Sequence, residues 1–103
     1  MGDNFNLLKN AIKERKKIIY KYNDEVVREG FPYVLFYNDS NSKNSGKIFL
    51  TIYKCNTGNG EWRSGIDIEK MFDIKILDVF LDEIHEGYNP NSSLYSGGIL
   101  ERI

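Results

Sequence analysis

Three cations and three large aromatic side chains, on or beside predicted strands, are the residues of this sequence best suited to bind a ligand. They are Arg28, Arg63 and Lys70, with Tyr20, Phe49 and Trp62 near them in chain order. A guanidinium beside an aromatic ring suits a carboxylate, a phosphate or a nucleobase. The alternative is that Arg63 makes a cross-strand ion pair with a carboxylate and that the aromatic rings belong to the core.

Residues that carry catalytic or metal chemistry are sparse. His85 is the one histidine and Cys55 the one cysteine, so the three or four ligands of a zinc site are not supplied. We expect His85 to be an exposed surface side chain. Asp67 and Glu69 share one face of a strand, where paired carboxylates can act as acid and base, but a solvated face is favoured because nothing in the sequence encloses them. We therefore expect no enzyme, no cofactor and no metal site.

Length and charge favour one small cytoplasmic domain. The chain has 103 residues and a net charge of −1, so we expect a single domain over residues 1–103 and no global basic field that attracts nucleic acid. The single cysteine suits a reducing cytoplasm. No apolar run approaches the ~20 residues of a membrane span, and no segment reads as a secretory signal.

Hydrophobic periodicity predicts one helix followed by five strands. Phe5, Leu8 and Ile12 form an apolar stripe with helical spacing. The helix covers residues 3–15, and the strands cover residues 16–22, 25–37, 47–54, 61–68 and 73–81. Gly30 and Pro32 in the second strand indicate a bulge, or a bend at a sheet edge. Five strands in meander order predict a small twisted sheet curled into a barrel.

The connections between these elements are polar. Residues 39–46 read as an exposed loop, and the Thr-Gly-Asn-Gly run at 57–60 reads as a hairpin turn. That glycine pair is too short, and wrongly placed, to cradle a phosphate. Residues 83–103 are less regular. Within them, Ile99, Leu100 and Ile103 can form a final strand, either packed on the core or paired with another chain.

Several motifs occur in the order in which one known family carries them. Ala11-Ile12 and the run from Arg15 to Tyr20 come first, followed by Arg28 to Leu35 with Pro32 four residues after the arginine. The triplet at 48–50 and then Arg63 with residues 66–71 complete the set. Together they resemble a divergent WYL domain over roughly residues 5–81.

The sequence departs from the WYL pattern at identifiable positions. The Trp-Tyr-Leu triplet reads Ile48-Phe49-Leu50, so the tyrosine hydroxyl is lost. The two arginines of the last motif are Asp67 and Lys70, and lysine offers a point charge where arginine offers a planar fork. One extra residue separates Arg63 from the apolar start of that motif.

The resemblance implies a fold and a site. The fold is mainly β, with an N-terminal helix followed by a five-stranded, Sm-like (Src-homology-3-type) small barrel and an irregular C-terminal extension at 83–103. The implied ligand is a nucleotide or nucleic acid, held by arginines and aromatic residues; the matching positions are Arg63, Lys70, Arg28, Phe49 and Tyr20. WYL domains usually follow a DNA-binding helix-turn-helix in bacterial transcription regulators. We expect this chain to be a stand-alone sensor, an accessory subunit or a dimer module, and one candidate partner is a regulator that carries the DNA-binding domain.

Two functions remain open at this stage. The first is a non-catalytic ligand-binding or regulatory module that binds a small anion, a nucleotide or single-stranded nucleic acid. The second is a self-associating structural or interaction module with no small-molecule ligand, a homodimer formed through an edge strand or through residues 99–103.

Overall fold

The computed structural model describes residues 3–55 and 60–103. It shows a small, mainly β domain with an N-terminal helix and a six-stranded antiparallel sheet. The helices are α1 (Asp3–Glu14) and α2 (Ser40–Ser45). The strands are β1 (Lys16–Tyr22), β2 (Arg28–Phe36), β3 (Phe49–Lys54), β4 (Glu61–Asp67), β5 (Met71–Phe80) and β6 (Ile99–Arg102). Two short 3-10 turns cover Ile68–Lys70 and Ser93–Tyr95.

Helix α1 packs its predicted apolar stripe onto the sheet. Leu8, Ala11 and Ile12 are buried, as the helical spacing predicts, and Phe5 packs beside them. Arg15 follows the helix in the left-handed region, with φ 55°, and β1 begins at the next residue. No helix among the described residues has the length and apolar character needed to span a membrane.

Strand β2 is central and changes partners along one of its edges. Its first residues, from Arg28 to Gly30, pair with β1, and its last residues, from Val34 to Phe36, pair with β6. Strand β3 pairs along the other edge, with a register shift between Pro32 and Val34. The interruption predicted at Gly30 and Pro32 is present as this register shift, but β2 lies inside the sheet and not at its edge. Pro32, which lacks a backbone N–H, lies where one neighbour ends and the next begins.

The sheet is open, so the predicted closed barrel is not what the chain forms. The strand order is β4-β3-β2-β1-β5, with β6 beside β2, and no pairing joins β4 to β5 among the residues that the structure describes. Helix α1 packs against β2, β5 and the 3-10 turn that joins β4 to β5. The Asn4 side chain donates hydrogen bonds to the carbonyl oxygens of Ile68, at 2.9 Å, and Met71, at 2.8 Å. These bonds satisfy two carbonyls at the crossing from β4 to β5.

The sheet separates two hydrophobic cores. The first lies under α1 and contains residues from every strand except β6, with Tyr20, Leu35, Leu50, Ile52 and Met71 among its buried members. The second lies on the opposite face and is built on Phe31, Tyr33, Val34, Phe36 and Tyr95. Residues 81–95 cover this second core, so the C-terminal extension is part of the fold.

Two predicted connections differ from the structure. The run 39–46 contains α2, because Asp39 caps it: the Asp39 carboxylate accepts from the Ser42 backbone N–H at 2.8 Å, and the Ser42 hydroxyl accepts from the Asp39 N–H at 3.2 Å. In the extension, the expected final strand forms as β6, and it pairs with β2 of its own chain, not with another chain. The predicted hairpin turn at 57–60 lies almost wholly outside the described residues, although β3 and β4 on either side of it pair antiparallel as expected.

Candidate functional site

An open cavity of about 250 Å³ brings cations and tyrosines together at one end of the sheet. It is lined by Tyr20, Tyr22, Arg28, Lys54, Arg63 and Ile66, and is called the cation cavity below. The meander explains this grouping. In antiparallel strands the end of one meets the start of the next, so the ends of β1 and β3 and the starts of β2 and β4 share one side of the sheet.

Three of the five predicted site residues line the cation cavity, and two lie elsewhere. Tyr20, Arg28 and Arg63 are brought together. Phe49 packs on the second core, with its ring centroid 6.1 Å from that of Phe36. Strand alternation explains this placement: Leu50 and Ile52 face α1, so Phe49 faces the other way.

Lys70 is exposed in the 3-10 turn after β4 and does not line the cation cavity. The end of β4 still borders the cavity through Ile66, but the chain then enters the 3-10 turn Ile68–Lys70, and no residue of that turn lines the cavity. The structure therefore does not bring Lys70 into the cavity that Arg63 lines. Lys54, which the sequence did not mark, takes that place because it lies on β3 on the same side as Ile52.

Arg28 is held by the turn that joins β1 to β2. Its guanidinium donates to both carboxylate oxygens of Asp24, at 2.9 and 3.1 Å, and to the carbonyl oxygen of Tyr22 at 3.2 Å. The hydrogen bonds from Arg28 lower the pKa of Asp24 below its usual value. This bidentate pair gives Arg28 a structural partner inside the chain, so any ligand meets a cation that is already paired.

Arg63 and Lys54 are more accessible cations. Arg63 donates to Glu61 on its own strand at 2.9 Å, with about half of each side chain exposed. The alternative of a cross-strand ion pair is therefore wrong in its geometry, since the partner is two residues away on β4. An exposed pair of this kind contributes only about 0.2–1 kcal/mol. Lys54 has no carboxylate within ion-pair distance among residues 3–55 and 60–103.

The two tyrosines of the cation cavity differ in exposure. Tyr20 is buried and forms the floor; burial raises the pKa of its phenol, while the charges of Arg28 and Arg63 act in the opposite direction. Tyr22 is half-buried, and its hydroxyl accepts a hydrogen bond from the Asp67 backbone N–H at 3.3 Å. Tyr22 is therefore the ring that a ligand can reach.

A second cavity, of about 390 Å³, lies at the start of α1 and suits anions poorly. Its lining includes the carboxylates of Asp3 and Glu69, together with apolar residues such as Phe5 and Ile68. No lysine or arginine lines it among the described residues. A negatively charged ligand is therefore repelled there and attracted to the cation cavity.

Asp67 is not part of a solvated acidic face. Its side chain is buried, accepts from the Glu69 backbone N–H at 3.1 Å and lies 3.4 Å from the Lys47 ammonium. Only Glu69 is exposed, as the sequence suggested for both. Asp67 thus caps the 3-10 turn, which is a structural role.

His85 is packed among aromatic rings, so the prediction of an exposed surface side chain is wrong. Its ring stacks on Tyr53 with centroids 3.7 Å apart, and its Nδ1 lies 2.7 Å from the Tyr33 hydroxyl oxygen. The same oxygen accepts from the His85 backbone N–H at 2.8 Å. The Tyr33 hydroxyl donates to Nδ1 when the ring proton is on Nε2, and accepts from Nδ1 in the other tautomer. Burial lowers the pKa of His85.

Trp62 belongs to the same aromatic cluster and holds the C-terminal extension to the sheet through a hydrogen bond. Its ring lies edge-on to Tyr33, at 4.6 Å, and to Tyr53, at 5.2 Å, and its indole N–H donates to the Glu86 carbonyl oxygen at 2.8 Å. The cross-strand register sets Phe31 opposite Tyr53 and Tyr53 opposite Trp62. That row of aromatic residues on three predicted strands was the available signal for a second core.

The described residues contain no group of three or more histidine, cysteine, aspartate and glutamate side chains arranged to hold a metal ion. No family model, curated protein or solved structure matches the chain.

Proposed function

We propose that this protein is a non-catalytic binding module that holds a phosphate-bearing ligand of nucleotide size in the cation cavity. One observation carries the proposal: antiparallel strands bring Arg28, Lys54 and Arg63 to one open cavity beside Tyr20 and Tyr22. Guanidinium and ammonium groups bind phosphate oxygens, and an accessible tyrosine ring can stack on a base.

Arg63 and Lys54 are the cations assigned to the phosphate. They lie on neighbouring strands, where Ile52 pairs with Arg63 and Lys54 pairs with Glu61. A phosphate between them replaces Glu61 as the partner of Arg63, at the small cost of an exposed ion pair. Arg28 supports the site by its charge while it remains bonded to Asp24.

We further propose that the module is of the WYL type and that its sheet is an open form of the Sm-like small barrel. Support comes from the meander order of β1 to β4 and from the position of Arg63, which the resemblance marks as the leading arginine, in the cavity. The corresponding role is regulatory, in the cytoplasm, with a partner regulator that supplies the DNA-binding domain.

Titration calorimetry with mononucleotides and with short single-stranded RNA and DNA tests the proposal. Arg63→Ala removes a charge-assisted hydrogen bond worth about 1.5–3 kcal/mol, so the affinity is expected to fall by roughly 10- to 100-fold. Lys70→Ala is the matched control, because it removes an exposed cation that does not line the cavity. Absence of binding by every probe, or equal losses in both variants, contradicts the proposal.

Self-association is a second candidate, favoured by one observation. Ile99 and Leu100 on β6 remain 37% and 36% exposed although the strand is paired with β2. A second copy that covers them would form a homodimer. Sedimentation equilibrium on the full chain and on Leu100→Ser decides the matter, since a monomer in both cases excludes a dimer through this strand.

A further inference from the structure

An open groove of about 580 Å³ lies between the end of β5 and the residues that follow it. Its apolar surface includes Phe80, Val79 and Ile84, which are 56%, 45% and 43% exposed. Phe31 and Leu81 lie deeper and complete it. Single exposed apolar side chains are ordinary, but several together in one groove are typical of an interaction surface. This surface is called the acidic groove below, for its rim.

The rim of the acidic groove is negatively charged. Asp82, Glu83 and Glu86 line it. None of these carboxylates lies within ion-pair distance of a cation in the part of the chain that the structure describes. The nearby lysines of β1 are already paired: Lys16 with Glu14 and Asp78, and Lys17 with Glu29.

The chain itself shows which groups suit the rings of this groove. The Lys16 ammonium lies 5.2 Å from the centroid of the Phe80 ring, and the Lys17 ammonium lies 5.6 Å from that of Phe31. Both distances fall in the range of cation–π attraction. Lysine side chains are therefore compatible with the aromatic surface as well as with the acidic rim.

We infer that the acidic groove docks a segment of a partner protein in which apolar residues stand next to lysine or arginine. The apolar side chains of that segment cover Val79, Phe80 and Ile84, and its cations pair with the rim. This inference is independent of the proposed phosphate site, because the groove lies at the start of β1 and the cation cavity at its end.

The charge of the groove disfavours other occupants. A nucleic acid or an anionic lipid surface is repelled by the three rim carboxylates. One exposed apolar pair that a second copy of this chain offers is Val26 and Val27, which are 57% and 53% exposed, but these residues follow Asp24 and Glu25. The adjacent Arg28 is bonded to Asp24, so this segment adds negative charge to an acidic rim.

Fluorescence anisotropy with short labelled peptides tests the inference. The probe alternates valine with lysine, and its control carries glutamate in place of lysine. We expect the lysine peptide to bind and the glutamate peptide not to bind, with an affinity that falls as salt is added. Failure of the lysine peptide to bind at low salt overturns the inference.

Two pairs of variants assign that binding to the groove. Glu83→Lys is expected to weaken binding by on the order of tenfold or more, whereas Glu61→Lys makes the same charge change on β4 and is expected to have little effect. Ile84→Ser is expected to weaken binding more than Val27→Ser, an equally polar change at an exposed valine outside the groove. Equal effects within either pair overturn the inference.

Discussion

Two arginines that look alike in the sequence have different partners in the structure. Arg28 forms a bidentate pair with Asp24 and a bond to the Tyr22 carbonyl. Within residues 3–55 and 60–103, the ion-pair partner of Arg63 is Glu61, at an exposed position. The spacing of apolar residues predicted that both arginines lie on strands. It did not predict which guanidinium would bond to a carboxylate in the turn before its strand. That depends on the conformation of residues 23–27, which no periodicity encodes.

The difference between the two arginines predicts a difference in stability. Arg28→Ala removes the bonds that close the β1–β2 turn, whereas Arg63→Ala removes one exposed ion pair. Thermal unfolding followed by circular dichroism should therefore give a larger decrease in Tm for Arg28→Ala. Equal Tm values would show that the bidentate pair contributes nothing beyond an ordinary surface contact.

His85 predicts a pH dependence of stability. Burial lowers its pKa in the folded protein below the usual 6.5, so between these two values the unfolded chain binds the extra proton. The uncharged His85 therefore makes its full contribution to the free energy of unfolding above pH 6.5. That contribution falls as the pH drops from 6.5 to the lower pKa of the folded protein. Urea unfolding at several pH values measures it.

The matched control for His85 is His85→Gln, which cannot titrate. Its free energy of unfolding should lack the decrease that the wild type shows as the pH falls below 6.5. Tyr33→Phe keeps the imidazole but removes the hydroxyl that bonds to Nδ1, so it should lower stability above that pH. A wild-type slope that persists in His85→Gln would assign the effect to another group.

At the level of the elements, β2 is held by close backbone contact with β3. A Cβ added at Gly30 would clash with the Tyr53 carbonyl oxygen and would lie 3.0 Å from the Lys54 Cα. Both atoms belong to the backbone of β3, so they cannot rotate away from the added Cβ as the end of a side chain could. Gly30 is therefore required near the point where the paired neighbour of β2 changes from β1 to β6.

Gly30→Ala is expected to lower the free energy of unfolding by roughly 1–3 kcal/mol, the usual cost of overpacking. Gly65→Ala is the informative comparison: its φ is +74°, and nothing lies within 4 Å of the added Cβ. The loss of stability in Gly65→Ala therefore measures only the cost of holding an alanine in the left-handed region, about 1–2 kcal/mol. Urea unfolding of both variants measures the two effects, and a Gly30→Ala protein as stable as wild type would contradict the close contact.

The C-terminal extension predicts a large effect at Tyr95. The ring is buried against Phe36, with centroids 4.7 Å apart, and its hydroxyl donates to Thr51 Oγ1 at 3.0 Å. Tyr95→Ala is expected to cost about 3–5 kcal/mol, as for other large aromatic residues. Tyr95→Phe, which removes only the hydrogen bond, should cost about 1 kcal/mol. Chemical denaturation measures both, and a small loss in Tyr95→Ala would mean that the extension is not part of the folded core.

Local patterns predicted α1 and β1, and they allowed a final strand in the extension without identifying its partner. Leu8 and Ile12 repeat with helical spacing, and Ile18 and Tyr20 alternate as a strand, so each pattern is complete within a few residues. The pairing of β6 with β2 joins residues far apart in the chain. Its sequence signal is short, and a four-residue strand shows too little alternation to identify its partner.

The whole molecule places surfaces of opposite charge at the two ends of β1, within a chain whose net charge is −1. Lys16 pairs with Phe80 beside the acidic groove, and Tyr22 lines the cation cavity. Seven residues at about 3.3 Å each separate the ends by roughly 20 Å, about twice the Debye length at 0.1 M salt. A net charge close to zero is therefore compatible with an electronegative surface at the acidic groove and an electropositive surface at the cation cavity.

This separation predicts that the two binding events are independent. Saturation with a nucleotide should leave the affinity for the valine-lysine peptide unchanged at 0.1 M salt, because the charge added at one end is screened at the other. Titrating the peptide with and without nucleotide measures the coupling. A change in affinity of more than about fivefold would indicate a linked conformational change.

The position of the one tryptophan gives the molecule an optical reporter of its own. The Trp62 indole bonds to the Glu86 carbonyl and is surrounded by Tyr33, Tyr53 and His85. Detachment of the C-terminal extension exposes this indole to water and removes the neighbouring imidazole. Its emission therefore records, without a label, whether residues 82–95 are docked on the sheet.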